Sequence, residues 1–251
     1  MNEAKRGRRP TQGGYARGEE TRLRIIGAAI ELFGERGFEA ASTRDIAARA
    51  GVNAPALQYY FANKEGVYRA CAEHIANMVW QRFEPVVQSA AETLAANADI
   101  PALIDAFIAI QQVLAERMFL SPATASQRLF FVREQTGQEP SVASEILQTR
   151  MRAPLNRVGI ELIARIGGTR TDDPVTRIRL LSLHGQLMVF NVAPRSALVL
   201  LEWAQLDAEK AALVQTTIEH QTRALLNLWN QERTQREAAG KTALHAKRTR
   251  D

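Results

Sequence analysis

Residues 42–64, STRDIAARAGVNAPALQYYFANK, allow very few local structures. Ile46, Ala47 and Ala50 recur at helical spacing while Arg44, Asp45 and Arg49 fall on the other side, so the first half reads as a short amphipathic helix. Ser42 is placed to cap it, and Asp45 stands three residues on, where a short carboxylate can take part of the capping-box role. Gly51 supplies the left-handed conformation that ends a helix, Val52 returns an apolar side chain to the core, and Asn53 can cap the next helix. Ala54, Pro55 and Ala56 open this second helix, with proline in the first turn, where its missing N–H costs no hydrogen bond. Two short helices joined by a glycine-bearing turn form a helix-turn-helix, which sets the N-terminal residues of its second helix against base edges in the major groove of DNA.

Neither short helix is stable alone, so something must cover their apolar faces. In residues 19–36 the side chains Leu23, Ile26, Ala29, Ile30 and Phe33 share one helical face, Gly37 stops that helix, and Phe38 packs just beyond. Asn63 caps a further helix that starts at Lys64 and carries Val67, Tyr68, Cys71, Ile75, Met78 and Val79 on its inner side. Glu84 and Pro85 are expected near its end.

Residues 46–68, IAARAGVNAPALQYYFANKEGVY, resemble the TetR family of one-component bacterial regulators, and the similarity extends from Thr21 to Tyr68. The resemblance implies a three-helix DNA-binding head and a helix leaving it for a regulatory domain. It also implies that Thr43, Arg44, Ala54, Pro55, Ala56, Tyr59, Tyr60 and Lys64 fall where family members touch DNA. Two positions depart from the family pattern: Gln58 stands where many members have a phosphate-binding tyrosine, and Tyr60 where many have histidine. Ala54, Pro55 and Ala56 offer methyl and ring contacts only, which leaves Arg44 as the candidate for direct base readout through a bidentate contact to guanine.

The chain has 251 residues, 46% of them hydrophobic and 24% charged, which suits a globular all-α protein with a small head and a larger second domain. No apolar run reaches the length of a bilayer span and the basic start is followed by no apolar signal core, so a cytoplasmic protein is expected. Cys71 is the single cysteine, which excludes an intrachain disulfide, and free cysteine behaves as a small packed apolar residue. The net charge of +5 favours a polyanionic partner. Part of the excess lies in residues 1–18, which lack hydrophobic periodicity and read as a disordered arm. There Arg6, Arg8 and Arg9 resemble the Arg-Gly-Arg core of arms that enter a narrow minor groove, although any basic tail also raises non-specific affinity.

Beyond the head, residues 67–235 read as a helical regulatory and dimerisation domain and residues 236–251 as a disordered basic tail. Pro101 opens a helix with an apolar face from Ile104 through Leu114 towards Phe119, and Ser121-Pro122 breaks it. Pro154 should kink or divide the helical stretch over residues 141–166, which Gly167-Gly168 ends. Residues 197–201 read as a short buried helix or connector between two long amphipathic helices. Those two long helices are what a symmetric four-helix dimer seam requires. The half from Met118 onward is similar to the CecR-type regulatory domain at Arg133-Glu134-Gln135, Pro154-Leu155, His184-Gly185-Gln186-Leu187, Phe190 and Trp203.

Candidate effector contacts are Phe130, Phe131, Met151 and Met188, with Arg133, Glu134 and His184 as polar points, which would suit an amphipathic or aromatic compound. Arg133 and Glu134 have an equally simple reading as a pair that faces solvent or braces a neighbouring helix. The four histidines form no metal-spaced cluster, and no phosphate-cradling loop, dinucleotide fingerprint or nucleophile elbow occurs. No cofactor, metal or catalytic set is expected. The pattern points to a ligand-responsive DNA-binding regulator, most simply a homodimeric repressor, with an activator or dual regulator of the same fold as the alternative and an all-helical enzyme or carrier as the more distant one.

Overall fold

A computed structural model describes residues 12–119 and 125–248, and its secondary structure is helical throughout the elements it contains. The helices are α1 (Gln12–Ala40), α2 (Thr43–Arg49), α3 (Ala54–Tyr60), α4 (Lys64–Ala95), α5 (Ile100–Phe119), α6 (Ala125–Gln135), α7 (Ser141–Leu147), α8 (Ala153–Gly167), α9 (Pro174–Val192), α10 (Pro194–Leu200) and α11 (Ala208–Arg248). A π-helical segment, Gln148–Arg152, joins α7 to α8. Among the described residues no helix is long and apolar enough to cross a membrane.

The chain divides into two compact units, one of Met1–Ala76 with Thr124–Leu147 and the other of Asn77–Ala123 with Gln148–Asp251. The first therefore takes in α6 and α7 as well as the head expected over residues 19–66. Its core is built where the helical stripe of α1 places it: Ile25, Ile26, Ala29, Ile30, Leu32 and Phe33 are buried together with Ile46, Leu57, Val67 and Tyr68. Phe33 and Phe38 stack at 5.8 Å, and Tyr68 meets both rings edge-on. Gly37, at φ 81°, breaks the helical path inside α1 as its sequence position required. Cys71 is fully buried, its thiol directed at the Ile26 carbonyl, and burial pushes its pKa far above the ordinary thiol range.

In the second unit α5, α8, α9 and α11 pack on one another. Leu103, Ile104 and Phe107 of α5, Leu162, Ile163 and Ile166 of α8, Leu183 and Leu187 of α9, and Val214, Ile218 and Leu226 of α11 form its interior. A Cβ on Gly159 would stand 2.9 Å from Leu180 Cδ1, so glycine sets how closely α8 and α9 cross.

Four expectations change. Residues 12–18 are helical even though Gly13, Gly14 and Gly18 are poor helix formers, as an extension of a long helix already nucleated further on; Arg6, Arg8 and Arg9 lie outside the described residues. The tail is helical as far as Arg248, since Ala, Lys, Arg and Glu sustain a helix without an apolar stripe and Arg233 reaches Glu237 one turn on. Pro85 sits inside α4, where buried Phe83, Val87 and Ala90 on either side hold the helix through the missing hydrogen bond. The connector at residues 197–201 does contain a helix, but only Ala197 is buried there, and Val199 and Leu200 are 78% and 84% exposed. At Pro154 the stretch changes register without a break: the π-helical segment runs directly into α8, and Arg152 at the junction stays in the right-handed helical conformation at φ −69°, ψ −45°.

Two partly buried histidines are held below the ordinary value of 6.5, His184 by desolvation and His74 by desolvation and then by the charge of Arg22. The unfolded chain then binds more protons than the folded one once the pH drops below 6.5, so stability should fall with pH there. His184→Gln should melt at nearly the same temperature as the parent at pH 7.5 and lose less on going to pH 5.5. Parallel thermal denaturation at the two pH values measures this.

Candidate nucleic-acid interface

The caps that define the turn form as their residue types require. Ser42 Oγ accepts the Asp45 backbone N–H at 3.1 Å and donates its own hydrogen to Asp45 Oδ2 at 2.8 Å. The Asp45 carboxylate thus faces both the Ser42 backbone N–H and the Ser42 hydroxyl, and the stronger of the two contacts is the bond from the hydroxyl. That hydrogen bond, with Arg36 and Arg49 nearby, holds the Asp45 carboxyl below its usual range. Gly51 has φ 66°, Asn53 Oδ1 accepts the Ala56 N–H at 2.8 Å, and Asn63 Oδ1 accepts the Gly66 N–H at 2.7 Å.

Ile46, Ala47 and Leu57 are buried beneath the two helices, which leaves the opposite surface open. Arg44, Ala54 and Pro55 are exposed, while Thr43 and Ala56 are half-buried. Tyr59 is 84% exposed and meets Tyr60 edge-to-face at 5.2 Å. The other arginines of this region are engaged: Arg49 pairs with Glu35 at 2.9 Å and Glu31 at 3.6 Å, and Arg36 with Asp45 at 3.5 Å. Arg44 has no partner among the described residues. Lys64 is half-buried, its ammonium 2.9 Å from the Phe38 carbonyl, 3.3 Å from that of Glu39, and 4.3 Å from the centre of the Phe38 ring. In this structure it closes the end of α1.

The seven expected effector contacts are divided between the units. Phe130, Phe131, Arg133 and Glu134 are on α6 in the first; Met151, His184 and Met188 are in the second. Phe130 packs on Tyr68 at 5.1 Å, and buried Glu134 accepts from Ser144 Oγ at 2.7 Å and from Gln135 Nε2 at 2.9 Å. Arg133 donates to the Gly34 and Glu35 carbonyls. Arg133 therefore reaches the α1 backbone, and Glu134 reaches Ser144 of α7.

Sequence reasoning passed over a polar line inside the second unit. Gln111 Nε2 donates to Thr222 Oγ1 at 2.8 Å, and Thr222 Oγ1 lies 3.3 Å from Gln186 Oε1. Gln111 and Thr222 are buried, and Gln111 Oε1 has no hydrogen-bond partner among the described residues. A buried acceptor left alone costs about 1–3 kcal/mol, so such a group calls for a role. The signal was present as glutamine within an apolar helix, but which face it occupied depended on packing. An open cleft of about 490 Å³ also lies in this unit, lined by Asn156, Arg157, Ile160, Glu161, Asp172 and Arg177, and none of the expected effector contacts borders it.

Residues 25–71 match the bacterial regulatory proteins of the tetR family, and residues 103–227 match the C-terminal domain of the HTH-type transcriptional dual regulator CecR. The CecR protein of Shigella flexneri is 30% identical over 204 residues, spanning 80% of this chain and 89% of that one. The chain belongs to the TetR family of bacterial regulators. As a member of that family it is a DNA-binding transcriptional regulator rather than an enzyme. Among solved structures, AibR in complex with isovaleryl coenzyme A and operator DNA has a TM-score of 0.56 at 14% identity, over 79% of this chain and 96% of that one. FadR of Bacillus subtilis in complex with stearoyl-CoA has a TM-score of 0.51 at 12% identity, over 81% and 96%. Both share the fold.

Removing the amide of Asn53 leaves a helix N-terminus without its cap. Asn53→Ala should lower stability by about 1 kcal/mol, read as a shift of the urea midpoint with unchanged slope.

Proposed function

We propose that the chain acts as a cytoplasmic homodimer that binds a two-fold symmetric operator and represses it until an amphipathic small molecule occupies the second unit. The observation that carries this reading is the division of α9 into two faces. Leu180, Leu183 and Leu187 are buried on one side, whereas Val175, Ile178, Leu181, Val189 and Val192 are exposed on the other, with Ser182 and Gly185 among them. Leu213 and Leu228 are likewise exposed on α11. An apolar stripe of this extent on a long helix is suited to burial against its own copy in a two-fold seam. The paired recognition helices then stand roughly 34 Å apart, one turn of DNA.

On this reading Thr43, Arg44, Ala54, Pro55, Ala56, Tyr59, Tyr60 and Lys64 face the duplex and Arg6, Arg8 and Arg9 reach the minor groove. Exposed and unpaired Arg44 reads a guanine, and the alanines and proline contact thymine methyls. The effector lies against Met151, His184 and Met188, with Gln111 Oε1 as an acceptor for a hydroxyl or amide on the ligand. The acyl-CoA complexes of AibR and FadR support an amphipathic compound. A dual regulator is the second reading, favoured by the name of the Shigella flexneri relative.

Selection of bound duplexes from a random library should return an inverted repeat with half-sites one helical turn apart; enrichment of no sequence would remove the operator reading. In vitro transcription from that site, with and without the protein, separates repression from dual control. Arg44→Ala should relax the selected sequence, whereas a loss of equal size on selected and random DNA would assign Arg44 to the phosphates. Leu181→Asp should sediment as a monomer and bind the selected duplex at least tenfold more weakly; a dimer with parental affinity would place the seam elsewhere.

A further inference from the structure

The chain leaves the head along α4 and comes back to it. Residues 125–147, which fall within the stretch matched by the CecR C-terminal domain, belong to the same compact unit as the helix-turn-helix. What holds them there is polar and specific. Arg133 Nε donates to the Gly34 carbonyl at 2.8 Å and Arg133 Nη2 to the Glu35 carbonyl at 3.1 Å. Four residues past α6, Glu139 Oε2 accepts the Phe38 backbone N–H at 2.9 Å. Gly37 lies between these contacts at φ 81°, where a Cβ would stand 3.0 Å from Glu139 Oε1 and 3.1 Å from Arg133 Nη1. A Cβ on Gly34 would collide with the Ser126 carbonyl, so α1 and α6 cross with backbones nearly touching.

The groups taken by this clamp are those that a helix end leaves without partners: carbonyls of the last turn and the first N–H beyond the break. The same end is held by the head itself. Lys64 of α4 takes the Phe38 and Glu39 carbonyls, and Arg49 of α2 takes Glu35 and Glu31. The end of α1 is therefore the point at which α2, α4 and α6 are referred to one another.

We propose that Arg133 and Glu139 are positioning residues for DNA recognition: from outside the N-terminal helix-turn-helix domain, they fix the end of α1 and with it the presentation of α2 and α3. The proposal rests on the DNA-binding reading above. A purely structural clamp would affect melting while the folded protein kept its discrimination between sequences. A direct phosphate contact by Arg133 would lower the salt dependence of binding by about one counterion. A positioning role lowers discrimination and leaves the salt dependence alone.

The test uses the full chain and two probes, the duplex that the wild type selects from a random library and a scrambled duplex of equal length. Affinities are measured over a salt series at a temperature where circular dichroism shows each variant folded. Arg133→Ala is expected to reduce the ratio of specific to scrambled affinity at least tenfold with an unchanged salt slope. Glu139→Gln keeps an acceptor for the Phe38 N–H and should stay within about twofold of wild type, whereas Glu139→Ala should lose discrimination. Should Arg133→Ala fail to fold, the two Glu139 variants decide the matter. A parental ratio in Arg133→Ala and Glu139→Ala, or a salt slope reduced by one contact in Arg133→Ala, overturns the proposal. If the wild type selects no sequence, the DNA-binding reading fails first and the proposal falls with it; if the wild type selects and the variants match it, the proposal alone fails.

Discussion

A helix that stops short leaves carbonyls pointing at nothing, and at the end of α1 those carbonyls are taken by cations from other elements. Arg133 arrives from α6 and Lys64 from the start of α4, while Arg49 of α2 pairs with the glutamates of the same turn. Each of these bonds is modest in water, worth about 0.5–1.5 kcal/mol net and more where a charge is involved. Their value here is geometric, because a guanidinium fork across two successive carbonyls permits little rotation. Helices α2 and α3 are seven residues each and have no independent stability, so their orientation is inherited from α1.

The DNA-reading surface is built on economy of side chains. Alanines and a proline at the opening of α3 keep the surface low, the exposed Tyr59 ring flanks them, and Arg44 is the neighbouring cation without an internal ion pair among the described residues. The second unit follows a different logic. Among the described residues its interior is largely apolar but holds buried Gln111, Thr222 and Thr176, with half-buried Gln186 beside Thr222, and its α9 helix keeps half of its apolar side chains outside. Burial of a polar line and exposure of an apolar one both run against the energetics of an isolated monomer.

Much of this is legible in order along the chain. Ser42, Gly51, Asn53 and Asn63 announce the turn, and each adopts the cap or left-handed conformation that its residue type favours. Local signals of this kind depend on a residue and its neighbours within one turn, so they survive translation into structure. The differences arise where a local signal competes with packing. Pro85 reads as a terminator yet is carried through by the buried side chains around it, and the apolar run at residues 197–201 reads as buried although Val199 and Leu200 are outside. The two ends show no periodicity and read as coil, but α11 reaches Arg248 on alanine- and charge-rich sequence of high helix propensity, and α1 runs back to Gln12 through Gly13, Gly14 and Gly18 by extension of the long helix that follows.

What the sequence determined by itself is the kind of molecule: an all-helical chain whose helix-turn-helix is written in caps, a turn glycine and a helical stripe, and whose family can be recognised from those same residues. Only the tertiary structure decided what the Arg133-Glu134 couplet does, that α6 belongs with the head, and that Gln111 is buried facing Thr222. The physical reason is separation along the chain. Arg133 meets Gly34 across 99 residues and Gln111 meets Thr222 across 111, and no periodicity in a single segment encodes which distant segment will lie opposite it.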